Sequence, residues 1–289
     1  MPGQKTGEGS ARRRNLFATC ANPACTSAWL HPLRSRSGPI FEDGWTCSAE
    51  CTRTVIQAAI YREMEGRQAE RPMYRHRIPL GLLMLEHKWI THEELRAALG
   101  AQQQAGGGRI GNWLVRQGAV KEETVTRALA LQWSCPVIAC DGHLPEALTA
   151  AMPRLFVDAF TALPVRITGT SVLYLAFEDA LDPVLALAIS RMTGLRVECG
   201  VVSESQFRPA LTRMLDAAFP PVSLIEAVTP AAAAQTFARE MERTRPVASR
   251  LVRVHDYLWL RQQLRPAIAI LPERDAVRDL VCSIVPYQA

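Results

Sequence analysis

The sequence predicts an α+β protein in which a small cysteine-rich module comes first, tandem pairs of short helices follow, and a small α/β layer comes next. Three observations predict this order. Cysteines are concentrated in residues 20–51, a 24-residue pattern occurs at 79–102 and again at 109–132, and strand-like segments alternate with helix-like segments after Trp133. Such alternation is typical of helices packed on a sheet.

The composition is that of a soluble globular protein, since 48% of the residues are hydrophobic and 21% are charged. No apolar run approaches the ~20 residues that span a bilayer, and the first twenty residues lack the apolar segment of a signal peptide. We therefore expect a cytoplasmic protein that would reach the inner face of a membrane only through a partner. The net charge of +5 is too small to indicate nucleic-acid binding by itself.

Changes in composition divide the chain into five predicted segments. These are a flexible basic arm at 1–15, a zinc-binding module at 16–60, a helical connector at 61–76, a domain with the doubled motif at 77–218, and an α/β extension of unknown role at 219–289. After Trp133 we expect a short strand at 135–140 and a β-hairpin with a glycine-containing turn at 163–177. In the extension we expect an alanine-rich helix at 230–243, two strands and a final helix.

The zinc prediction rests on two close cysteine pairs, Cys20 with Cys25 and Cys47 with Cys51. Disulfides are rare in the cytoplasm, and four thiolates suit a closed tetrahedral site that has a structural role. We therefore predict one structural Zn²⁺. The alternative is a chance cluster of free thiols.

The doubled motif predicts two pairs of helices, with short helices at 81–87 and 111–117 and longer ones at 92–104 and 121–132. Thr91 and Glu94 form a capping-box pattern before the first long helix. Both copies carry a glycine at the third position and end in glutamine. Packing of duplicated helices explains the shared leucines, whereas the glycine also permits close approach of a ligand.

The second copy, "RIGNWLVRQGAVKEETVTRALALQ", resembles the cyclic di-GMP-binding motif in the N-terminal, MshEN-type domain of the type II secretion and type IV pilus assembly ATPases, the GspE and PilB family. That family has Arg-Leu-Gly at the start of the motif, glutamine at its end, and two tandem copies. The downstream stretch from "LPVRITGTSVLYLAF" to "SESQFRPAL" resembles the same domain. The resemblance covers roughly residues 77–216 and implies a cyclic di-GMP site.

The resemblance also implies which residues bind the ligand. In the second copy they are Arg109, Ile110, Gly111, Val125, Leu129 and Gln132, and in the first copy Leu80, Gly81, Leu95, Leu99 and Gln102. Arginine can hold a phosphate or the O6/N7 edge of guanine bidentately. The first copy departs from the family because Pro79 replaces its arginine, and the spacer "QQAGGG" has six residues where the family usually has five. We expect Arg77 or Arg75 to reach the same phosphate instead.

We predict no enzymatic activity and no catalytic residues, because the three lysines lie outside any G-x-x-x-x-G-K-[ST] phosphate loop. The resemblance implies a nucleotide-sensing protein whose partners are cyclic di-GMP and components of a secretion or pilus apparatus, or another effector protein. One alternative is an adaptor that keeps the fold, has lost the ligand and acts through protein contacts. Another is a zinc protein that binds nucleic acid through its basic arm.

Overall fold

The computed structural model describes residues 19–26, 38–69, 77–140 and 145–284. The predicted basic arm, and with it the argument for nucleic-acid binding, lies outside these residues, as does Arg75. None of the helices in the described ranges has both the length and the apolar character needed to cross a bilayer.

The first described elements are a two-stranded antiparallel hairpin of β1 (Ile40–Phe41) and β2 (Gly44–Trp45), followed by helix α1 (Ala49–Ala69). The boundary predicted between residues 60 and 61 falls inside α1. Its sequence contains no proline, so the helix continues past residue 60, and buried Ile56 and Ile60 lie on one face of it.

The doubled motif folds as four helices. They are α2 (Leu80–Glu86), α3 (His92–Gln104), α4 (Ile110–Arg116) and α5 (Glu122–Trp133). Each boundary lies within one residue of its prediction. The capping box is confirmed, because the Glu94 amide donates to Thr91 Oγ1 at 3.2 Å and Glu94 Oε2 accepts from the Thr91 amide at 2.7 Å. We call these four helices the helical unit.

A three-stranded sheet with flanking helices follows and forms the α/β layer. Its elements are a 3-10 turn (Glu146–Ala150), α6 (Arg154–Ala159), β3 (Ala162–Thr168), β4 (Val172–Phe177), α7 (Pro183–Thr193), β5 (Arg196–Val201) and α8 (Glu204–Asp216). β3 and β4 form the predicted hairpin, and β5 lies parallel to β4. The strand predicted at 135–140 is reduced to one bridge between Val137 and Val201.

The C-terminal segment forms a four-stranded sheet in the order β6-β9-β8-β7. Its elements are β6 (Val222–Ala227), α9 (Pro230–Thr244), β7 (Ala248–Val254), β8 (Tyr257–Gln263), a 3-10 turn (Arg274–Ala276) and β9 (Val277–Ile284). The predicted final helix is wrong, because that stretch is the strand β9. Leu280 and Val281 are buried on opposite faces of the sheet, and a strand buried on both faces reads as a continuous apolar run.

The two ends of the described chain form one structural unit. Helices α1 and α9 cover one face of the C-terminal sheet, while the other face contributes Trp259 to the core of the α/β layer. The Ile40 amide donates to the Pro246 carbonyl at 3.2 Å, and the Glu42 amide donates to the Ser249 carbonyl at 2.9 Å. The cysteine-rich segment is therefore hydrogen-bonded to β7, an edge strand of this sheet.

Candidate functional site

A cavity of about 300 Å³ lies between the helical unit and the α/β layer. All of the predicted second-copy residues line it, together with one residue of the first copy. These are Arg109, Ile110, Gly111, Val125, Leu129, Gln132 and Leu80. The fold thus brings the second-copy set together around one opening.

The other residues predicted for the first copy lie outside the lining of this cavity. Gly81 and Leu95 are buried in the helical unit, Leu99 is 42% exposed, and Gln102 is bonded elsewhere. Arg77 lies beside the cavity, since its guanidinium carbon is 2.9 Å from the ring centroid of Trp133, which is a lining residue. Arg77 is therefore placed near the second-copy cavity, where it stacks on an aromatic ring.

The two glutamines connect the copies to each other. Gln132 Nε2 donates to the Ile78 carbonyl at 2.7 Å, and Gln102 Nε2 donates to the Gly108 carbonyl. Each glutamine thus lies in the last turn of the long helix of one copy and donates to a carbonyl just before the short helix of the other copy. This reciprocal contact gives the repeated glutamine a structural role within the doubled motif.

The two glycines allow each short helix to approach a long one. A Cβ atom at Gly111 would lie 2.6 Å from Val125 Cγ1, and a Cβ atom at Gly81 would lie 2.6 Å from Leu95 Cδ1. Both distances are below van der Waals contact. Val125 is β-branched and has little rotamer freedom in a helix, so the stricter requirement for glycine is at position 111.

Gly111→Ala is expected to destabilise the helical unit by roughly 1–3 kcal/mol, because the added methyl group overpacks the contact with Val125. Gly100→Ala is the matched control, since a Cβ atom there would meet open space and alanine is the better helix former. Urea unfolding of both variants measures the difference. Equal stabilities would mean that the approach of α4 to α5 does not require glycine.

Arg109 carries the positive charge of the cavity. It is the N-cap residue of α4, where its side chain makes no capping bond. Its Nη1 atom lies 2.9 Å from Glu178 Oε1, and its Nε atom lies 3.0 Å from Asp179 Oδ2. The Glu178 side chain is only 5% exposed and also accepts from Arg208 Nη2 at 3.0 Å. The site therefore contains an arginine already paired with two carboxylates.

Glu178 and Asp179 were not predicted as site residues. Both immediately follow β4, at the end of a strand beside a parallel neighbour, where ligand sites of open α/β sheets often lie. That position was the available signal. The contact itself joins residues about 70 positions apart in the chain, and no local pattern reports such a pairing.

Asp182 links the same connection to the C-terminal sheet. It caps α7 by accepting from the Val184 and Leu185 amides at 3.0 Å, and its Oδ2 atom lies 2.6 Å from His255 Nε2. Burial acts to raise the pKa of Asp182, but the hydrogen bond with His255 and the two amide bonds outweigh it and hold that pKa below its usual value. The connection between β4 and α7 therefore contacts two other parts of the fold.

The four predicted zinc ligands converge. The Sγ atoms of Cys20, Cys25, Cys47 and Cys51 all lie within 4.8 Å of one another. The distances are 3.5 Å from Cys25 Sγ to Cys47 Sγ and 3.7 Å from Cys47 Sγ to Cys51 Sγ. Tetrahedral Zn–S bonds of about 2.3 Å place sulfur atoms about 3.8 Å apart. The arrangement is compatible with zinc.

The surroundings of Cys51 favour its thiolate. Asn22 Nδ2 donates to Cys51 Sγ at 3.4 Å. Burial acts to raise the pKa of Cys51, but hydrogen bonds from Ser48, Asn22 and the neighbouring thiols outweigh it and lower that pKa to about 7. Burial and the neighbouring thiols raise the pKa of Cys47 to about 12, so within the cluster the thiolate is favoured at Cys51 and opposed at Cys47. Because metal ligation requires thiolates, metal binding at this site would release protons.

Residues 133–220 match the family described as the MshEN domain. The match begins at Trp133, directly after the doubled motif, and it spans the α/β layer. It agrees with the resemblance that the doubled motif and the downstream stretch predicted.

Two curated relatives share part of the chain. "Bacteriophage adsorption protein B" of Escherichia coli (strain K12) is 33% identical over 129 residues, which are 44% of this chain and 17% of that protein. "Type IV pilus assembly ATPase PilB" of Myxococcus xanthus (strain DK1622) is 30% identical over 135 residues, 46% of this chain and 24% of that protein. The similarity therefore covers a part of these larger proteins and not their whole length.

Two solved structures are also similar to this chain. The structure described as MshE with cdg is 26% identical, with a TM-score of 0.39, and the match covers 48% of this chain and 99% of that one. The N-terminal domain of XpsE is 21% identical, with a TM-score of 0.34, and the match covers 47% of this chain and 92% of that one.

Proposed function

We propose that the chain is a non-catalytic protein that binds cyclic di-GMP, because residues 133–220 match the MshEN domain and the chain is similar to part of a type IV pilus assembly ATPase. The observation that supports this proposal is the cavity that gathers the complete second-copy residue set around Arg109. The partners we propose are components of a type II secretion or type IV pilus apparatus, or another effector protein.

The chemistry of the lining suits one half of this ligand. Cyclic di-GMP is a dianion with two guanines, and the Arg109 side chain, 43% exposed, can donate to a phosphate or to the O6/N7 edge of guanine. Ile110, Val125 and Leu129 offer an apolar surface to a base. The volume of about 300 Å³ is at the lower limit of small-molecule pockets. A cavity of this size holds one guanosine half, and the other half would lie outside it, beside Arg77.

In the same proposal the four cysteines hold a structural Zn²⁺. Four protein thiolates complete the tetrahedral shell and leave no position for a substrate or an activated water. The ion would hold together the segments on either side of the β1–β2 hairpin, whose strands have only two residues each.

Arg109→Ala is expected to weaken cyclic di-GMP binding by roughly 10- to 100-fold, since a hydrogen bond to a charged group contributes about 1.5–3 kcal/mol. Arg116→Ala is the matched control, because Arg116 lies on the same helix but stacks on Trp113 outside the cavity. Calorimetric titration of both variants beside the wild type measures the effect. An unchanged dissociation constant for Arg109→Ala would mean that the ligand does not use this cavity.

A second candidate function is an adaptor that keeps the fold without the ligand. Two observations favour it: Pro79 occupies the position of the first arginine, and Arg109 is already paired with Glu178 and Asp179. Pro79→Arg discriminates between the candidates. If the wild type does not bind cyclic di-GMP and Pro79→Arg does, the adaptor is favoured. If the wild type already binds cyclic di-GMP tightly, the adaptor is excluded.

A further inference from the structure

Arg109 is the one cationic residue among the described residues that line the cavity, and it has two roles. It closes the contact between the start of α4 and the end of β4, and it is also the proposed ligand residue. We propose that Glu178 and Asp179 compete with cyclic di-GMP for the Arg109 guanidinium, so that ligand binding releases the helical unit from the β4–α7 connection. This inference rests on the proposed function.

The competition follows from the geometry of the guanidinium. Its Nη1 edge faces Glu178 Oε1 at 2.9 Å, and its Nε edge faces Asp179 Oδ2 at 3.0 Å. A phosphate that binds bidentately needs the same planar donors. Asp179 occupies Nε on the Nε–Nη2 edge, and Glu178 takes one hydrogen of Nη1 on the Nη1–Nη2 edge, so a phosphate that binds bidentately through either edge meets one of the two carboxylates.

The charge of the lining also opposes an anionic ligand while the contact is closed. Glu122 and Glu204 line the cavity together with Glu178 and Asp179, so four carboxylates surround the one arginine. Arg208, which is not among the lining residues, pairs with Glu178 and Glu204, so the carboxylates still outnumber the arginines by two and repel a dianion that approaches. Neutralising a carboxylate that pairs with Arg109 removes both its repulsion of the ligand and a competitor for the guanidinium. Neutralising a carboxylate that does not pair with Arg109 removes only the repulsion.

Releasing Arg109 leaves neither carboxylate as a buried unpaired charge. Glu178 keeps Arg208 Nη2 at 3.0 Å, and the Asp179 side chain is 42% exposed, so water can solvate it. A buried charge without a partner would make the release costly. These alternative partners make the contact reversible.

A second polar link lies along the same edge of the cavity. Here Glu122 Oε1 at the start of α5 accepts from the Ser205 amide at the start of α8 at 2.7 Å. The β4–α7 connection also carries Asp182, which is bonded to His255 of the C-terminal sheet. A ligand that frees Arg109 therefore acts on the connection that joins the cavity to the unit bearing the cysteines.

The test compares two single-charge variants by calorimetric titration with cyclic di-GMP. Asp179→Asn removes a partner of Arg109, and Glu204→Gln removes a lining carboxylate that pairs with Arg208 instead. We expect Asp179→Asn to bind about tenfold more tightly than the wild type and Glu204→Gln to gain about twofold at most. The Glu178→Gln/Asp179→Asn double variant is expected to gain at least as much as Asp179→Asn.

The outcomes separate this inference from the proposed function. Suppose that the wild type binds cyclic di-GMP and that neither Asp179→Asn nor the double variant binds it more tightly than the wild type. This result overturns the competition and leaves the proposed function intact. Equal gains in Asp179→Asn and Glu204→Gln also overturn it, because general electrostatics would then suffice. No binding by the wild type or by any variant overturns the proposed function itself.

Discussion

Cys47→Ser is expected to release zinc and to loosen the segment that leads into α1. The variant leaves three thiolates where a structural site requires four ligands. Binding energy at such sites is folding energy, because the unfolded chain has no preformed site. We expect the midpoint of thermal unfolding to fall by roughly 5 °C or more, since 1 kcal/mol corresponds to about 2–4 °C in a large domain.

The effect of losing zinc should extend to the C-terminal sheet. The β1 segment is bonded to the edge beside β7, and Thr52 Oγ1 donates to Glu242 Oε1 of α9 at 3.0 Å. Hydrogen exchange of the β7 amides is therefore expected to accelerate in the variant and after treatment with a chelator. Metal analysis of the purified protein, with Cys135→Ser as the control, completes the test. A wild type with no bound metal would contradict the zinc proposal.

The second large effect is expected from Asp279→Ala in the strand β9. Asp279 is fully buried and accepts from Trp259 Nε1 and from Arg261 Nε and Nη2, each at 2.8 Å. Removing the carboxylate leaves the buried guanidinium of Arg261 without its counter-charge, which typically costs about 3–5 kcal/mol. Arg261 also donates to the Ala150 carbonyl, so the contact between the sheet and the α/β layer is weakened as well.

Urea unfolding measures this loss against Asp275→Ala, whose exposed carboxylate pairs with Arg265 and should matter little. The double variant Arg261→Met/Asp279→Leu is expected to lose less than Asp279→Ala, because it removes both charges together. A double variant that is less stable than Asp279→Ala would contradict this explanation of the pair.

The local parts of the fold could be predicted from the sequence. The helices of the doubled motif have a clear period and a capping box, and these signals act within one turn of the chain. The hairpin of β3 and β4 was predicted from its apolar strands and its turn, where Gly169 has a φ of +60°. The convergence of the four cysteines was predicted from their spacing alone.

The non-local parts could not be predicted. The period of β9 is hidden because both of its faces are buried, and the pairing of β1 with the edge beside β7 joins positions about 200 residues apart. The glutamines and glycines of the motif were interpreted as ligand residues. Gln102 and Gln132 make hydrogen bonds between the two copies, and Gly111 allows the close approach of Val125. These residues of the motif therefore also determine how its helices pack. The resemblance identified Arg109, but its carboxylate partners depend on the tertiary fold.

The most direct test of the central claim is a calorimetric titration of the wild-type protein with cyclic di-GMP, with the midpoint of thermal unfolding recorded in parallel. Binding to the cavity at Arg109 predicts a saturable heat, a dissociation constant of about 1 μM to 100 μM, and a raised unfolding midpoint at saturating ligand. A folded protein that gives no heat and no shift of the midpoint at about 1 mM ligand would contradict the claim.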